Sequence, residues 1–242
     1  MGISNVTMTT AITNTRSLLD EPNAAFWSNN ELGVWLNEAC HDIQRRCEIL
    51  RQKAQLSTTS NEQNVTMPND TLRIYKMEFV PTAQSILTYP LEFRGYIGMD
   101  QIWGNLQSLP SAWPEFYTLW FQPVGSGATG GPTQLTARLF PVPAQAGTLN
   151  VFYYRLCTDA AVSPGTDTLD IQPGWEDATY DYAMYRALRK DADPRWQDAF
   201  SVYQDKLVEL MSKTHPDYTD QPDYFSTGTG GIPGWLAGNG GW

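Results

Sequence analysis

The stretch "SNNELGVWLNEACHDIQRRCEILRQK", residues 28–53, decides how the rest of the chain is read. Ser28 stands three positions before Glu31, the spacing at which a serine hydroxyl caps a helical amide while the glutamate reaches back to the serine N–H. Leu32, Trp35, Leu36, Ala39, Ile43, Cys47 and Leu50 then recur at intervals of three and four, which lays an apolar stripe along one helical face. Arg45, Arg46, Arg51 and Lys53 gather where the helix dipole favours cations, so the helix is predicted to end near Lys53.

On the N-terminal side, Met8, Ile12, Thr15 and Leu19 keep the same spacing until "DEPN" breaks it, and they predict a shorter helix. The far end of the chain repeats the pattern. "QPGWEDATYDYAMYRALRK" carries Pro173 near its first turn, Glu176 and Asp177 early, and Arg186, Arg189 and Lys190 late, so its charges oppose the dipole. After "DADP", in which Asp193 can cap and Pro194 can open a helix, Trp196, Phe200, Tyr203, Leu207 and Leu210 step by four, three, four and three. Those five residues, with Trp35, Leu36 and Ile43, are the expected seam of a helix bundle.

Residues 54–157 have a different texture. Runs such as "RIYKMEFV", "EFYTLWFQ", "QLTARLF" and "TLNVFYYRL" are separated by Pro, Gly and Ser and read as strands, with "PVGSGATGGP" (residues 123–132) as a connection. The expected fold class is therefore α+β: a four-helix bundle formed by N- and C-terminal helices (residues 1–53 and 158–214), an inserted antiparallel β domain (residues 54–157), and an extended C-terminal docking tail (residues 215–242).

Composition narrows the function. Sixteen Lys and Arg against 26 Asp and Glu give a net charge of -10, which disfavours a protein whose affinity comes from neutralising phosphates. No apolar run approaches the roughly 20 residues of a membrane span, and "MGISNVTMTTAITNTR" lacks the basic start and apolar stretch of a secretory leader. Cys40 and Cys47 lie seven apart, on one helical face, and three cysteines cannot all pair, so reduced core thiols and a reducing cytoplasm are expected.

The motifs of chemistry are weak. With His41 and His215 as the two histidines and no His-x-x-Glu-His or Cys-x-x-Cys spacing, neither a catalytic residue nor a metal or cofactor site is expected. His41, beside Asp42 on a polar stretch of helix, reads as a solvated residue. "GSGATGG" lacks the Gly-Lys-Ser/Thr of a phosphate loop, and no Gly-x-Ser-x-Gly elbow occurs. The aromatic run from Trp113 to Phe121 reads first as sheet core and second as a sugar-stacking platform, which leaves a carbohydrate-binding or carbohydrate-active protein as an alternative.

The tail "STGTGGIPGWLAGNGGW", residues 226–242, is too rich in glycine to bury its own apolar side chains at a gain over the entropy of ordering it. A surface outside the chain is the expected partner for it.

Four stretches together carry a family resemblance. "RSLLDEPNAAFWSNNELGVWLNEACHDIQRR" resembles the opening of bacteriophage head-to-tail adaptor (head completion, connector) proteins, with a short helix, an Asp/Pro turn, an aromatic residue and Ser before "NNEL", and "WLNEA..DI" on the main helix. "LFPVPAQAGTLNVFYYRLCTD" with "LDIQPGWEDATYDYAMYRAL" is similar to the family's return strand, acidic loop and third helix, and "DPRWQDAFSVYQDKL" to its closing helix. The resemblance implies a structural, non-enzymatic virion protein of the neck, assembled in the host cytoplasm. It implies a twelvefold homo-oligomeric ring that binds the portal protein, completes the head, lets genome DNA through without specific binding, and receives tail tube, nozzle or fibre proteins. It also implies that the tail leaves the bundle to lie on the portal, with Pro222, Tyr224, Phe225, Ile232, Trp235, Leu236 and Trp242 as its anchors. A tail tube or nozzle subunit built through the strands is the nearer alternative.

Overall fold

The structure, a computed structural model, describes residues 6–24, 26–84, 87–95, 112–123 and 133–214. Within them run helices α1 (Met8–Leu18) and α2 (Asn29–Cys47), strands β1 (Arg51–Thr58), β2 (Asn64–Thr66), β3 (Thr71–Pro81), β4 (Tyr89–Phe93), β5 (Phe116–Pro123), β6 (Thr133–Phe140) and β7 (Gly147–Arg155), and helices α3 (Glu176–Lys190) and α4 (Trp196–Thr214). Most of the connection at 123–132 and the whole of the tail at 215–242 lie outside the described residues.

Helix α2 starts as its first residues dictate. The Ser28 hydroxyl accepts from the Glu31 N–H at 3.2 Å, and the Glu31 carboxylate accepts from the Ser28 N–H at 3.0 Å. Its end comes earlier than the cation pattern suggests, at Cys47. Glu48 turns left-handed at φ 48, and the buried Gln44 side chain accepts from the N–H groups of Ile49 and Leu50 at 3.1 and 3.0 Å. The same side chain donates to the Arg155 carbonyl at 2.7 Å, so one amide closes the helix and aims the chain into β1. Helix α4 likewise begins at Trp196, later than Pro194, while the Asp193 carboxylate accepts from the Arg195 N–H at 2.9 Å.

The fold class expected from the sequence needs correction. The strands make one seven-stranded sheet in the order β1-β7-β3-β4-β5-β6-β2, and it is mixed: β3 with β4, β5 with β6 and β2 with β6 run antiparallel, but β4 with β5 runs parallel through Glu92↔Phe116. Strands also supply much of the core. Phe79, Met77, Leu139, Phe140 and Tyr153 stand with Leu32, Leu36, Ile43 and Tyr203 among the deepest large side chains. A four-helix bundle with a self-contained β insertion does not describe this, because β7, the strand that leads back to the C-terminal helices, lies inside the sheet between β1 and β3 and buries Leu149, Val151 and Tyr153 together with Asn150 and Tyr154.

The chain forms two compact units. Among the described residues, one comprises those within 6–56, 67–76 and 150–214, and the other those within 57–66, 77–95, 112–123 and 133–149. In the first, Met8, Leu32, Leu36, Ile43, Leu169 and Tyr203 are buried in one cluster. Two hydrogen bonds to the loop after β7 hold α1 there: the Met8 N–H donates to the Asp167 carbonyl at 2.8 Å and the Leu169 N–H to the Val6 carbonyl at 2.9 Å. Gly33 on α2 is needed by close packing, since a Cβ there would lie 2.3 Å from Val162 Cγ2. In the second unit, β5 and β6 pair from Phe116↔Phe140 to Pro123↔Thr133, and a Cβ on Gly147 would lie 2.5 Å from the Phe79 ring.

Candidate functional site

The expected bundle seam divides on inspection. Leu36, Ile43, Leu207, Leu210 and the ring of Tyr203 are almost wholly buried, and Trp35 nearly so. Burial of each is worth about 2–3 kcal/mol of apolar transfer. Trp196 is half-buried and Phe200 is 37% exposed; both rings rest on Tyr185 of α3, with centroids 6.2 and 4.9 Å from it, and Trp196 packs against a smaller cluster of Tyr185, Leu188 and Ala199. The expected tail anchors Pro222, Tyr224, Phe225, Ile232, Trp235, Leu236 and Trp242 lie outside the described residues.

A polar clamp closes the loop after β7 onto the end of that strand, and His41 ties the loop to α2. Arg155 donates to both carboxylate oxygens of Asp170 at 2.5 Å, and Asp170 also accepts from the Thr158 N–H at 2.8 Å. Burial opposes ionisation of Asp170, but the guanidinium and the Thr158 amide outweigh it and hold the carboxyl below its ordinary range. His41 lies 2.8 Å from Asp159, a partner 118 residues away that helical spacing could not reveal. These groups border a cleft lined by Asp70, Arg155, Asp159, Asp167 and Asp170. Its carboxylates are committed to internal partners, Asp70 accepting from the Tyr153 hydroxyl at 3.1 Å and Asp167 from the Ala161 N–H at 3.1 Å. Such a cleft fixes a loop.

Cys40, Cys47 and Cys157 are free and buried. Burial pushes all three thiols up, Cys47 to about 11 and Cys157 to about 12, so they are packing groups and poor nucleophiles. Among the described residues no group of three or more His, Cys, Asp or Glu is placed to hold a metal ion, and no helix is long and apolar enough to cross a membrane. In the aromatic run of β5, Tyr117 is buried, Phe121 is 73% exposed, and Arg138 lies 5.3 Å over the Trp120 ring.

The feature that sequence reasoning missed lies on β1, β7 and β3. Arg51 sits 5.6 Å over the Tyr154 ring and 6.0 Å from Tyr75, Arg73 sits 5.2 Å over Tyr154, and Lys53 and Lys76 sit 5.2 and 5.4 Å from the Phe152 ring. Glu48 pairs with Arg73 at its margin. Arg51, Lys53 and Arg73 are exposed, so an acidic chain displays a cationic face braced on aromatic rings. Period-two spacing of Arg51 with Lys53, Arg73 with Tyr75, and Phe152 with Tyr154 is visible in the sequence. Strand order, which brings the three pairs together, is not.

The family model described as SU10 adaptor protein matches residues 6–229 of the chain. No curated protein matches it. Among solved structures, a chain described as the neck of an empty GTA particle computed with C6 symmetry is similar at 14% identity, over 78% of this chain and 85% of that one, with a TM-score of 0.25, a level at which likeness of fold is not established.

Proposed function

This chain belongs to the SU10 adaptor protein family, and from that premise we propose that it is a structural neck protein of a phage virion, forming a homo-oligomeric ring beneath the portal. The observation that carries the proposal is the family match, which spans both helical ends and every strand and reaches residue 229. In this reading the ring, twelvefold by resemblance, completes the head, leaves a passage for genome DNA, and offers the tail tube, nozzle or fibre proteins a platform. Assembly takes place in the host cytoplasm.

Residues 215–242 serve as the docking tail, with Pro222, Tyr224, Phe225, Ile232, Trp235, Leu236 and Trp242 as anchors on the portal protein. Ordering such a segment costs roughly 1–2 kcal/mol per residue, so single anchors do not hold it; repetition around a ring does. A net charge of -10 suits a wall past which DNA must slide.

The test compares full-length protein with protein lacking residues 222–242 in binding to isolated portal rings, followed by imaging of the complexes. Stoichiometric rings with the full chain and loss of binding with the shortened chain are expected. Equal binding by both removes the tail from the mechanism, and full-length protein that never associates with portal removes the adaptor role itself.

A further inference from the structure

The cationic face of β1, β7 and β3 has a counterpart on the same unit. On α4, Asp198, Val202, Asp205 and Glu209 follow one another by four, three and four and are all exposed, which places them on one helical face. That face is turned away from Tyr203, Leu207 and Leu210, which are buried. Val202 is 47% and Val208 66% exposed beside these carboxylates. Glu209 is paired with Lys213 at 2.6 Å, so one surface offers cations mounted on rings and the other the carboxylates of Asp198 and Asp205 beside exposed valines.

We infer that these two surfaces are mates between neighbouring copies of the chain: Arg51, Lys53 and Arg73 of one subunit dock against Asp198 and Asp205 of the next. The inference rests on the ring reading above and gives it an interface. Two different patches that complement each other form a heterologous contact, which is the kind that generates rings when the rotation closes. The complementarity also fits the charge of the chain. At a net -10, subunits repel at long range, and a local cationic face opposite a local acidic one fixes which surfaces can approach. Cations already seated on Tyr154 and Phe152 lose less freedom on docking than free side chains would. Phosphate is the competing ligand for such a face, and the acidic remainder of the molecule disfavours it.

Charge reversal and rescue test the inference. Full-length wild type, Arg51→Glu/Lys53→Glu, Asp198→Lys/Asp205→Lys and the four-fold combination are compared by native mass spectrometry, alone and with portal rings, at low and high salt. All four positions are exposed, and unchanged circular dichroism and melting confirm each variant is folded. Either pair alone is expected to raise the concentration needed for assembly by about tenfold or more, and the combination to bring it back toward wild type. Wild-type assembly is expected to weaken with salt. Folded variants that all assemble like wild type overturn the interface while leaving the ring reading intact, as does a combination that assembles no better than either pair. Loss of DNA retention by Arg51→Glu/Lys53→Glu with assembly unchanged also overturns it, assigning the face to nucleic acid. Wild type that forms no ring under any condition defeats both.

Discussion

Tyr203 on α4 donates its hydroxyl hydrogen to Asp42 on α2 across 2.6 Å, at the point where the buried stripe of one helix meets the polar edge of the other. Burial first, and the Asp42 carboxylate second, raise the phenol well above its ordinary value, so it stays a donor at any physiological pH. Tyr203→Phe keeps the ring and removes the bond. Because Asp42 retains Arg46 at 3.1 Å, the loss should be about 1–2 kcal/mol, read as a lower midpoint in urea unfolding. An unchanged midpoint would show that water replaces the phenol without loss.

Gly33→Ala sets two effects against each other. Alanine favours a helix interior by about 1 kcal/mol over glycine, whereas forcing a methyl group into packed side chains costs about 1–3 kcal/mol. With Val162 Cγ2 only 2.3 Å from the new atom, packing should win, and the variant should melt lower than wild type. Combining it with Val162→Ala should recover most of the loss. Stabilisation by Gly33→Ala alone would mean that the loop carrying Val162 yields freely.

Acid should weaken the N-terminus of α2. Hydrogen bonds from Lys190 foremost, and then from the Ser28 N–H, lower Glu31 from 4.5 to about 2. A carboxyl lowered by folding contributes stability that is fully present above its unfolded value and fades as pH falls from about 4.5 toward 2. Asp170, also lowered, acts in the same direction. Melting temperature should therefore fall through that window, and Glu31→Gln should flatten part of the decline; a variant that follows the wild-type curve throughout would remove Glu31 from the account.

The three thiols should resist alkylation in the folded protein at pH 8 and react together on unfolding, since each is buried and carries a raised pKa. Rapid native-state labelling at Cys157, the least deeply buried, would reveal local opening of the loop after β7.

What the sequence made legible was local. The Ser28–Glu31 box and the Leu32 to Cys47 stripe depend on residues within one or two turns, and both stand where their spacing puts them. The end of α2 was not legible, because Gln44 sets it through a bond to Arg155, 111 residues on. The self-contained β insertion failed for the same kind of reason: alternation identifies strands, but the parallel pairing of β4 with β5 and the place of β7 between β1 and β3 are set by partners far along the chain. The cationic face was spelled out in period-two fragments whose neighbourhood only the sheet order supplies.

The hydrogen bonds that tie α1 to the loop after β7 have a consequence for biosynthesis. Thr9 donates through its hydroxyl to the Gly165 carbonyl, 156 residues later, and Val6 and Met8 are tied to Leu169 and Asp167. While a ribosome is still making the strands, this first helix has none of those partners, and it must wait, at most partly covered, until residue 169 has emerged. A nascent subunit therefore stays incomplete until late in its own synthesis, and early release or pausing before that point should leave it a client for chaperones rather than a building block.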